Sequence, residues 1–553
     1  MARTSNGAYI MNRVSNISFG LATLFAIPFV GCVDDDGLYD GEAVKSDDGK
    51  TDASALAVFV DAEFSGRLVT DSSFDDNATI EDQLLYTVGQ LNGMTAVGRI
   101  DRVVLSNITR RFVGGKTEIK YTAKLPVAWG DKRTVPSKIS LKLPLDISSA
   151  GQDAFANKYK HDCVDFGAHD VDAGSMFYYY RPSASGCAIA DADVVKVDAA
   201  VSPSLIQSTG KFPEYDQVWK DGTLEVLAIF GKFEDGATTS GDAGITAYNE
   251  FIASMKQELG ARNLTTKPAT IPSNPGVATP DVEFSASLPD GKKIHVVGLL
   301  TDNVRIGLSQ SKFRARYEAL SSRADFIAYN GHAGLGTNVR ALAQAGKWVT
   351  GQYVIVYMNG CDTFAYIDDA LNTAHKSINP DDTTGFKYID IVNNAMPAFF
   401  GSMSDATMAM FRGLLNHSQP QTYEQIFRAI DSSQVVLVTG EQDNRFTPGG
   451  GGTPTAWAGL NDRGTVARNE AKNYSTPTLA AGTYEFSLTG TNDSDLYVRI
   501  GSAPTTRLFD CRPFKNGANE SCSVTLPQPS TLHVMVRGYS AAASKFEIVG
   551  SKI

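Results

Sequence analysis

Residues Asp325–Asn338 read DFIAYNGHAGLGTN, and Tyr353–Phe364 read YVIVYMNGCDTF. Each is an apolar run that closes on a glycine and then presents one reactive side chain, His332 in the first and Cys361 in the second. Apolar runs of this length, without alternation, predict strands buried on both faces, as in a parallel sheet covered by helices. Neighbouring parallel strands end at one edge, and open α/β sheets form their crevices beyond that edge. The pair of stretches therefore predicts an α/β fold in which Gly331-His332 and Gly360-Cys361 meet.

The same rhythm extends outward to fill residues 224–445. LEVLAIFGKF, KKIHVVGLLT, KYIDIVNNAM and QVVLVTGE read as strands. GITAYNEFIASMKQELG, SKFRARYEALSSR, NVRALAQAGKW, YIDDALNTAHKS, SDATMAMFRGLLNH and TYEQIFRAIDSS have helical spacing. Alternation of the two kinds predicts a mostly parallel sheet with helices on both faces. Before it, residues 56–213 are dominated by period-two patterns such as LAVFVDAEFSGRLVT and TEIKYTAKLPVAW. One helix is expected there, over IEDQLLYTVGQLN at 80–92, so the module is β-rich α+β. The stretch from Ala150 to about Pro213 shows few clear elements. After the central block comes FTPGGGGTPT, a flexible linker within 446–465. The tail, 466–553, holds short alternating strands at even spacing and predicts a β-sandwich. The whole is a multidomain α/β plus β protein.

A net charge of -11 over 553 residues, with no Lys/Arg run, excludes a nucleic-acid partner. Arg13 precedes ISFGLATLFAIPFVGC, too short to span a bilayer and suited to the apolar core of a signal peptide over 1–31. Its end, Phe29-Val30-Gly31-Cys32, resembles a bacterial lipobox, which implies lipidation of Cys32, with Phe29 standing where Leu is usual. Residues 32–55 are acidic and poor in apolar groups, which predicts a solvated tether. The expected location is the cell envelope or outer membrane through the lipid anchor, with plain secretion as the alternative. An exported chain meets oxidising conditions, so Cys163 is expected to pair with Cys187 and Cys511 with Cys522. That pairing leaves Cys361 alone.

An unpaired thiol beside an imidazole is a nucleophile with its base, and the adjoining glycines let backbone N–H groups approach an acyl carbon. The residues alone thus predict a Cys–His dyad for acyl transfer. DFIAYNGHAG followed by YVIVYMNGC resembles the caspase/gingipain-type cysteine peptidases, across residues 224–445. The resemblance implies His332 as base or polarising residue and Cys361 as nucleophile. It implies the backbone N–H groups of Ala333 and Cys361 as oxyanion donors, a protein or peptide substrate, and no required cofactor. The chain departs from the family in having His-Ala-Gly where His-Gly is usual. Asp362 is a candidate partner for a basic substrate side chain. The loop NNAMPAFFGSMSDA, 393–406, leads into a helix expected to be capped by Ser404 or Asp405.

The tail is similar throughout to the bacterial pre-peptidase C-terminal domain. The resemblance rests on Gly482-Thr483-Tyr484, Asp495-Leu496-Tyr497-Val498, Cys511-Arg512-Pro513, Glu520-Ser521-Cys522 and Arg537-Gly538-Tyr539. It implies a β-sandwich that accompanies secreted peptidases, with Asp493 and Asp495 as candidate Ca²⁺ ligands. The functional expectation is an exported, lipid-anchored cysteine endopeptidase. Its rival is a surface binding protein of the same fold that has lost catalysis.

Overall fold

The computed structural model describes residues 57–553 apart from 72–74, 132–133, 167, 169–170, 205–210, 369, 383–384, 440–445, 447, 449–454, 507, 514 and 527–528. The expected signal peptide, the tether, Cys32 and the glycine run 449–452 lie outside the described residues.

Six strands form the first sheet: β1 (Val58–Thr70), β2 (Ala96–Gly98), β3 (Val104–Val113), β4 (Lys116–Trp129), β5 (Lys138–Pro144) and β6 (Val194–Pro203). The order is β2-β4-β1-β6-β5, with β3 also on β4, and every pairing is antiparallel. Period-two alternation does its expected work: β1 sends Val60, Ala62, Phe64 and Leu68 into the core. The expected single helix over 80–92 is two, Asp76–Leu84 and Tyr86–Asn92. The Asp75 carboxylate caps the first by accepting from the Asn77 and Ala78 N–H groups. The turn between them brings Tyr86 edge-on to Phe155 and Tyr180. The stretch after Ala150, expected to hold little, supplies most of the helix Ser149–Tyr159 and all of β6, which closes the sheet between β1 and β5. Its contacts are distant in sequence, so local pattern did not reveal it.

The central sheet has eight strands: β7 (Thr223–Gly231), β8 (Thr265–Lys267), β9 (Asp281–Ser287), β10 (Lys293–Thr301), β11 (Phe326–Asn330), β12 (Val354–Asn359), β13 (Ile389–Asn394) and β14 (Val436–Thr439). Their order is β14-β13-β12-β11-β7-β10-β9-β8. β13, β12, β11, β7 and β10 run parallel; β14 and β9 flank them antiparallel, and β8 pairs antiparallel with β9 at the outer edge. Helices Ala243–Leu259 and Phe400–Leu415 pack together on one face. Ser311–Ser321, Thr337–Ala345 and Ala370–Ile378 cover the other. The mostly parallel, doubly covered sheet is the one the apolar runs predicted. The cap at Ser404 or Asp405 is not formed, because the helix already begins at Phe400. The apolar Phe400 and Met403 hold that extra turn in the core.

The tail is a sandwich of two antiparallel sheets. One has the order β15 (Leu460–Val466), β21 (Ser544–Lys552), β17 (Gly482–Gly490), β19 (Glu520–Leu526); the other β16 (Ala471–Ser475), β20 (Leu532–Gly538), β18 (Ser494–Ile500). β15 takes in residues 460–465, expected in the linker. Both expected disulfides are present, Cys163–Cys187 and Cys511–Cys522. The sandwich is docked on the central domain. Gln425 donates to the Phe509 carbonyl at 2.8 Å, and Arg428 stacks over the Phe509 ring at 5.0 Å. Buried Arg499 donates to the Pro420 carbonyl. Among the described residues no helix is long and apolar enough to cross a membrane.

Candidate functional site

β11 and β12 are adjacent and in register, Asn330 opposite Asn359, so their exits share one rim. A Cβ on Gly360 would stand 2.6 Å from the Gly331 carbonyl oxygen and 3.3 Å from the Ala333 nitrogen. Only glycine permits that approach. The two stretches thus meet as their sequence predicted.

His332 lies beside the loop that follows β7. Its Nε2 is 3.0 Å from the Phe233 carbonyl oxygen. A carbonyl only accepts, so Nε2 carries the proton, and in the neutral ring Nδ1 holds the lone pair. The imidazole is held in an aromatic triangle, 5.4 Å from Phe233 and 5.0 Å from Phe400, with the two phenyl rings 5.5 Å apart. Its own carbonyl accepts from the Tyr329 hydroxyl at 2.8 Å and from Asn338 Nδ2 at 2.9 Å. Gly334, Leu335 and Gly336 then follow in left-handed conformation. For Leu335 that conformation costs on the order of 1–3 kcal/mol, a cost found most often at ligand clamps and switch loops.

Cys361 is not a thiol. It is disulfide-bonded, and among the described residues there is no free cysteine. Its Sγ lies 3.6 Å from the Ala398 carbonyl oxygen, close to the Phe400 that packs on His332. A half-cystine has no proton to give the imidazole and no lone thiolate to attack an acyl carbon. The expected dyad, with Cys361 as nucleophile and the Ala333 and Cys361 N–H groups as oxyanion donors, is therefore corrected. The placement of both loops at one rim stands; the thiol chemistry does not.

Beneath the rim runs a chain of buried amides that the sequence reading passed over. Each of β11, β12 and β13 ends in asparagine. Asn394 Nδ2 donates to Asn359 Oδ1 at 3.0 Å, and Asn359 Nδ2 donates to Asn330 Oδ1 at 2.8 Å. Thr407 of the helix Phe400–Leu415 donates to that same Asn330 oxygen at 2.8 Å, and the Tyr357 hydroxyl donates to Asn394 Oδ1 at 3.2 Å. All of these residues are buried. Such a fully joined network fixes strand ends rigidly, since each unmet partner would cost a desolvation penalty. The signal was available as YN, MN and NN closing successive apolar runs.

The first module covers part of the rim. Phe364 packs against Phe59 at 5.7 Å, and the Arg99 guanidinium stacks over it at 5.1 Å. Ala395, Met396, Val435 and Leu437 of the central domain belong to the first module's apolar core. Asp362, expected to face a basic substrate group, instead enters this interface in left-handed conformation. Asn92 Nδ2 donates to its Oδ1 at 2.6 Å. Burial pushes the carboxyl up to about 7; Arg181, Tyr178 and Asn92 pull the other way, and Asp165 adds to the rise. Arg181 also donates to Asn92 Oδ1 at 2.9 Å and pairs with Asp165 at 3.0 Å.

In the tail, Asp495 is fully buried and pairs with Arg512 at 2.8 Å. Asp493 Oδ1 accepts from the Gly517 N–H at 3.0 Å. The two candidate Ca²⁺ ligands are thus engaged by a guanidinium and a backbone amide. Among the described residues no three His, Cys, Asp or Glu side chains gather as a metal site.

Comparison with known proteins bears on the tail. Residues 474–538 match the model of the bacterial pre-peptidase C-terminal domain. The chain is 45% identical over 74 residues to the neutral protease of Vibrio proteolyticus, covering 13% of this chain and 12% of that protein. It is 55% identical over 51 residues to a zinc metalloprotease of Helicobacter pylori, covering 9% of this chain and 20% of that protein. It is 53% identical over 51 residues to alkaline serine exoprotease A of Vibrio alginolyticus, covering 9% and 10%. The chain therefore spans a fifth or less of the length of these relatives. A solved structure, vEP C-ter 100, is 34% identical and covers 18% of this chain and 98% of its own, with a TM-score of 0.15. None of these relatives is named for cysteine chemistry, which agrees with the bound sulfur of Cys361 in overturning the cysteine endopeptidase. What the comparisons identify is a part of the chain: its C-terminal sandwich is a bacterial pre-peptidase C-terminal domain.

Proposed function

We propose that this is an exported protein that acts on other proteins outside the cell, in the manner of the secreted proteases whose tail it shares, with a caspase/gingipain-type central body in which Cys361 is not the nucleophile. The observation that carries this reading is the tail match over residues 474–538. The same tail accompanies proteins named for zinc and for serine chemistry, so it travels with proteolysis and not with one mechanism. Two disulfides suit the oxidising compartments an exported chain enters. The crevice beside β7 and β11 is the natural place for a substrate chain, since open sheets bind ligands where their connections diverge. His332 Nδ1, with Nε2 held by a carbonyl, is the group available there for moving a proton.

The test uses the full-length, unreduced protein with denatured casein as substrate. Fragments are expected from the wild type, from protein treated with iodoacetamide and from Cys361→Ser alike. They should vanish with one inhibitor class, a chelator or a serine-directed sulfonyl fluoride. No fragments under any condition, with casein retained on the immobilised protein, would replace hydrolysis by binding.

A further inference from the structure

Nε2 of His332 meets the Phe233 carbonyl oxygen at 3.0 Å. The same peptide unit carries the Glu234 N–H on its other side, and that N–H donates to Asp242 Oδ2 at 2.8 Å. Asp242 Oδ1 accepts from the Phe233 N–H at 3.1 Å, so one carboxylate holds the two N–H groups that flank the Phe233 α-carbon. That oxygen also caps the helix Ala243–Leu259, accepting from the Ile245 N–H at 2.9 Å. Asp242 is 8% exposed, and three N–H donors at the start of a helix match the acceptor capacity of its carboxylate. The helix start stands close to the chain leaving β7: a Cβ on Gly244 would lie 2.1 Å from the Gly231 carbonyl oxygen and 2.7 Å from the Lys232 Cα. The loop after β7, the start of the helix and the imidazole are thus tied together. The line runs from carboxylate to N–H, through the peptide to C=O, and on to the imidazole. Hydrogen bonds in series polarise one another in a buried setting.

We propose that Asp242 is a positioning residue for His332 and acts through the Phe233–Glu234 peptide group; this rests on the reading that His332 moves a proton in the crevice. The charge on Asp242 draws the Glu234 N–H, which raises the electron density on the Phe233 oxygen and strengthens its hold on Nε2–H. The lone pair is thereby kept on Nδ1. When Nδ1 takes a proton, the imidazolium makes a stronger, charge-assisted bond to the same carbonyl, and the carboxylate answers its charge at one remove. Asp242 itself exchanges no proton; Nε2 keeps its own, and only Nδ1 takes one up.

The test uses the full-length chain carrying isotope-labelled histidine, read by nitrogen NMR, with the His332 signal assigned by its loss in His332→Gln. The wild type should carry its proton on Nε2 at neutral pH. In Asp242→Asn, which keeps an oxygen for the helix cap and removes the charge, the Nδ1–H form should grow at its expense. Turnover of casein should fall about tenfold to a hundredfold, as when an imidazole loses an orienting partner. KM should change by less than about twofold, since the interaction strengthens only as the proton moves. Glu234→Pro deletes the N–H and leaves Asp242 in place; it should act in the same direction, and it serves where Asp242→Asn does not fold. The control is Asp302→Asn. Asp302 anchors the same loop elsewhere, accepting from Lys232 Nζ at 2.6 Å and from the Gly236 N–H at 3.0 Å. Its replacement should lower the melting temperature and leave the His332 tautomer as it is. An unchanged tautomer in Asp242→Asn and Glu234→Pro would overturn the proposal. An equal change in Asp302→Asn would also overturn it, by reducing Asp242 to a loop anchor. If the wild type yields no casein fragments, the proteolytic reading fails, while the tautomer still decides the role of Asp242.

Discussion

Replacing Asp362 by asparagine should change how stability responds to pH. The carboxyl is buried at the contact of two domains, and its pKa rises from 3.8 to about 7. A raised acid holds its proton in the folded state and releases it on unfolding. Its contribution is therefore fully present below the unfolded value and is lost as pH rises through about 7. About three pKa units at 1.36 kcal/mol each give a loss on the order of 4 kcal/mol. The substituted amide would keep an oxygen to accept from Asn92 but would have no titrating proton to lose. Between about pH 4.5 and pH 8.5 the variant should gain roughly 3 kcal/mol on the wild type. Urea unfolding of both proteins, followed by fluorescence at the two pH values, reads this difference. The comparison must be made against wild type, because burial also raises Glu81 to about 7, Asp325 to about 8 and Asp510 to about 6. A gap between Asp362→Asn and wild type that is the same at both pH values would refute the assignment of a neutral, interface-holding Asp362.

Three further outcomes are expected. Non-reducing peptide mapping should find Cys361 in a cystine, whereas a thioether-linked lipid on Cys32 together with a Cys361 that reacts with iodoacetamide would contradict it. His375 is fully buried against Trp348, neither ring nitrogen has a partner, and burial lowers its pKa to about 4. A depressed histidine stabilises above its unfolded value of 6.5, and that contribution is lost as pH falls toward about 4, so His375→Phe should flatten the acid limb by about 3 kcal/mol in denaturant titrations. Asn359→Leu should cost about 2–4 kcal/mol by leaving its amide partners unmet, read as a lower unfolding midpoint and faster hydrogen exchange at the ends of β11 and β13.

Element types were legible because each rests on local periodicity. The apolar runs of β7, β10, β11, β12 and β13 and the helical spacings between them needed no distant contact to be read. The meeting of the His332 and Cys361 loops followed from the geometry of parallel strands alone. The tail sandwich was legible from its period-two runs, and its cystine from two cysteines eleven residues apart. Tertiary structure decided what spacing cannot encode. β6 finds its place between β1 and β5 through pairings that cross most of the first module. His332 takes its proton position from the carbonyl of Phe233, about a hundred residues upstream. Asp362 turns into a domain interface because Asn92 and Arg181 wait there, and Cys361 loses its thiol to a disulfide. The order of residues determines which backbone a segment prefers; the state of a reactive group depends on what the remainder of the chain places within a few ångströms of it.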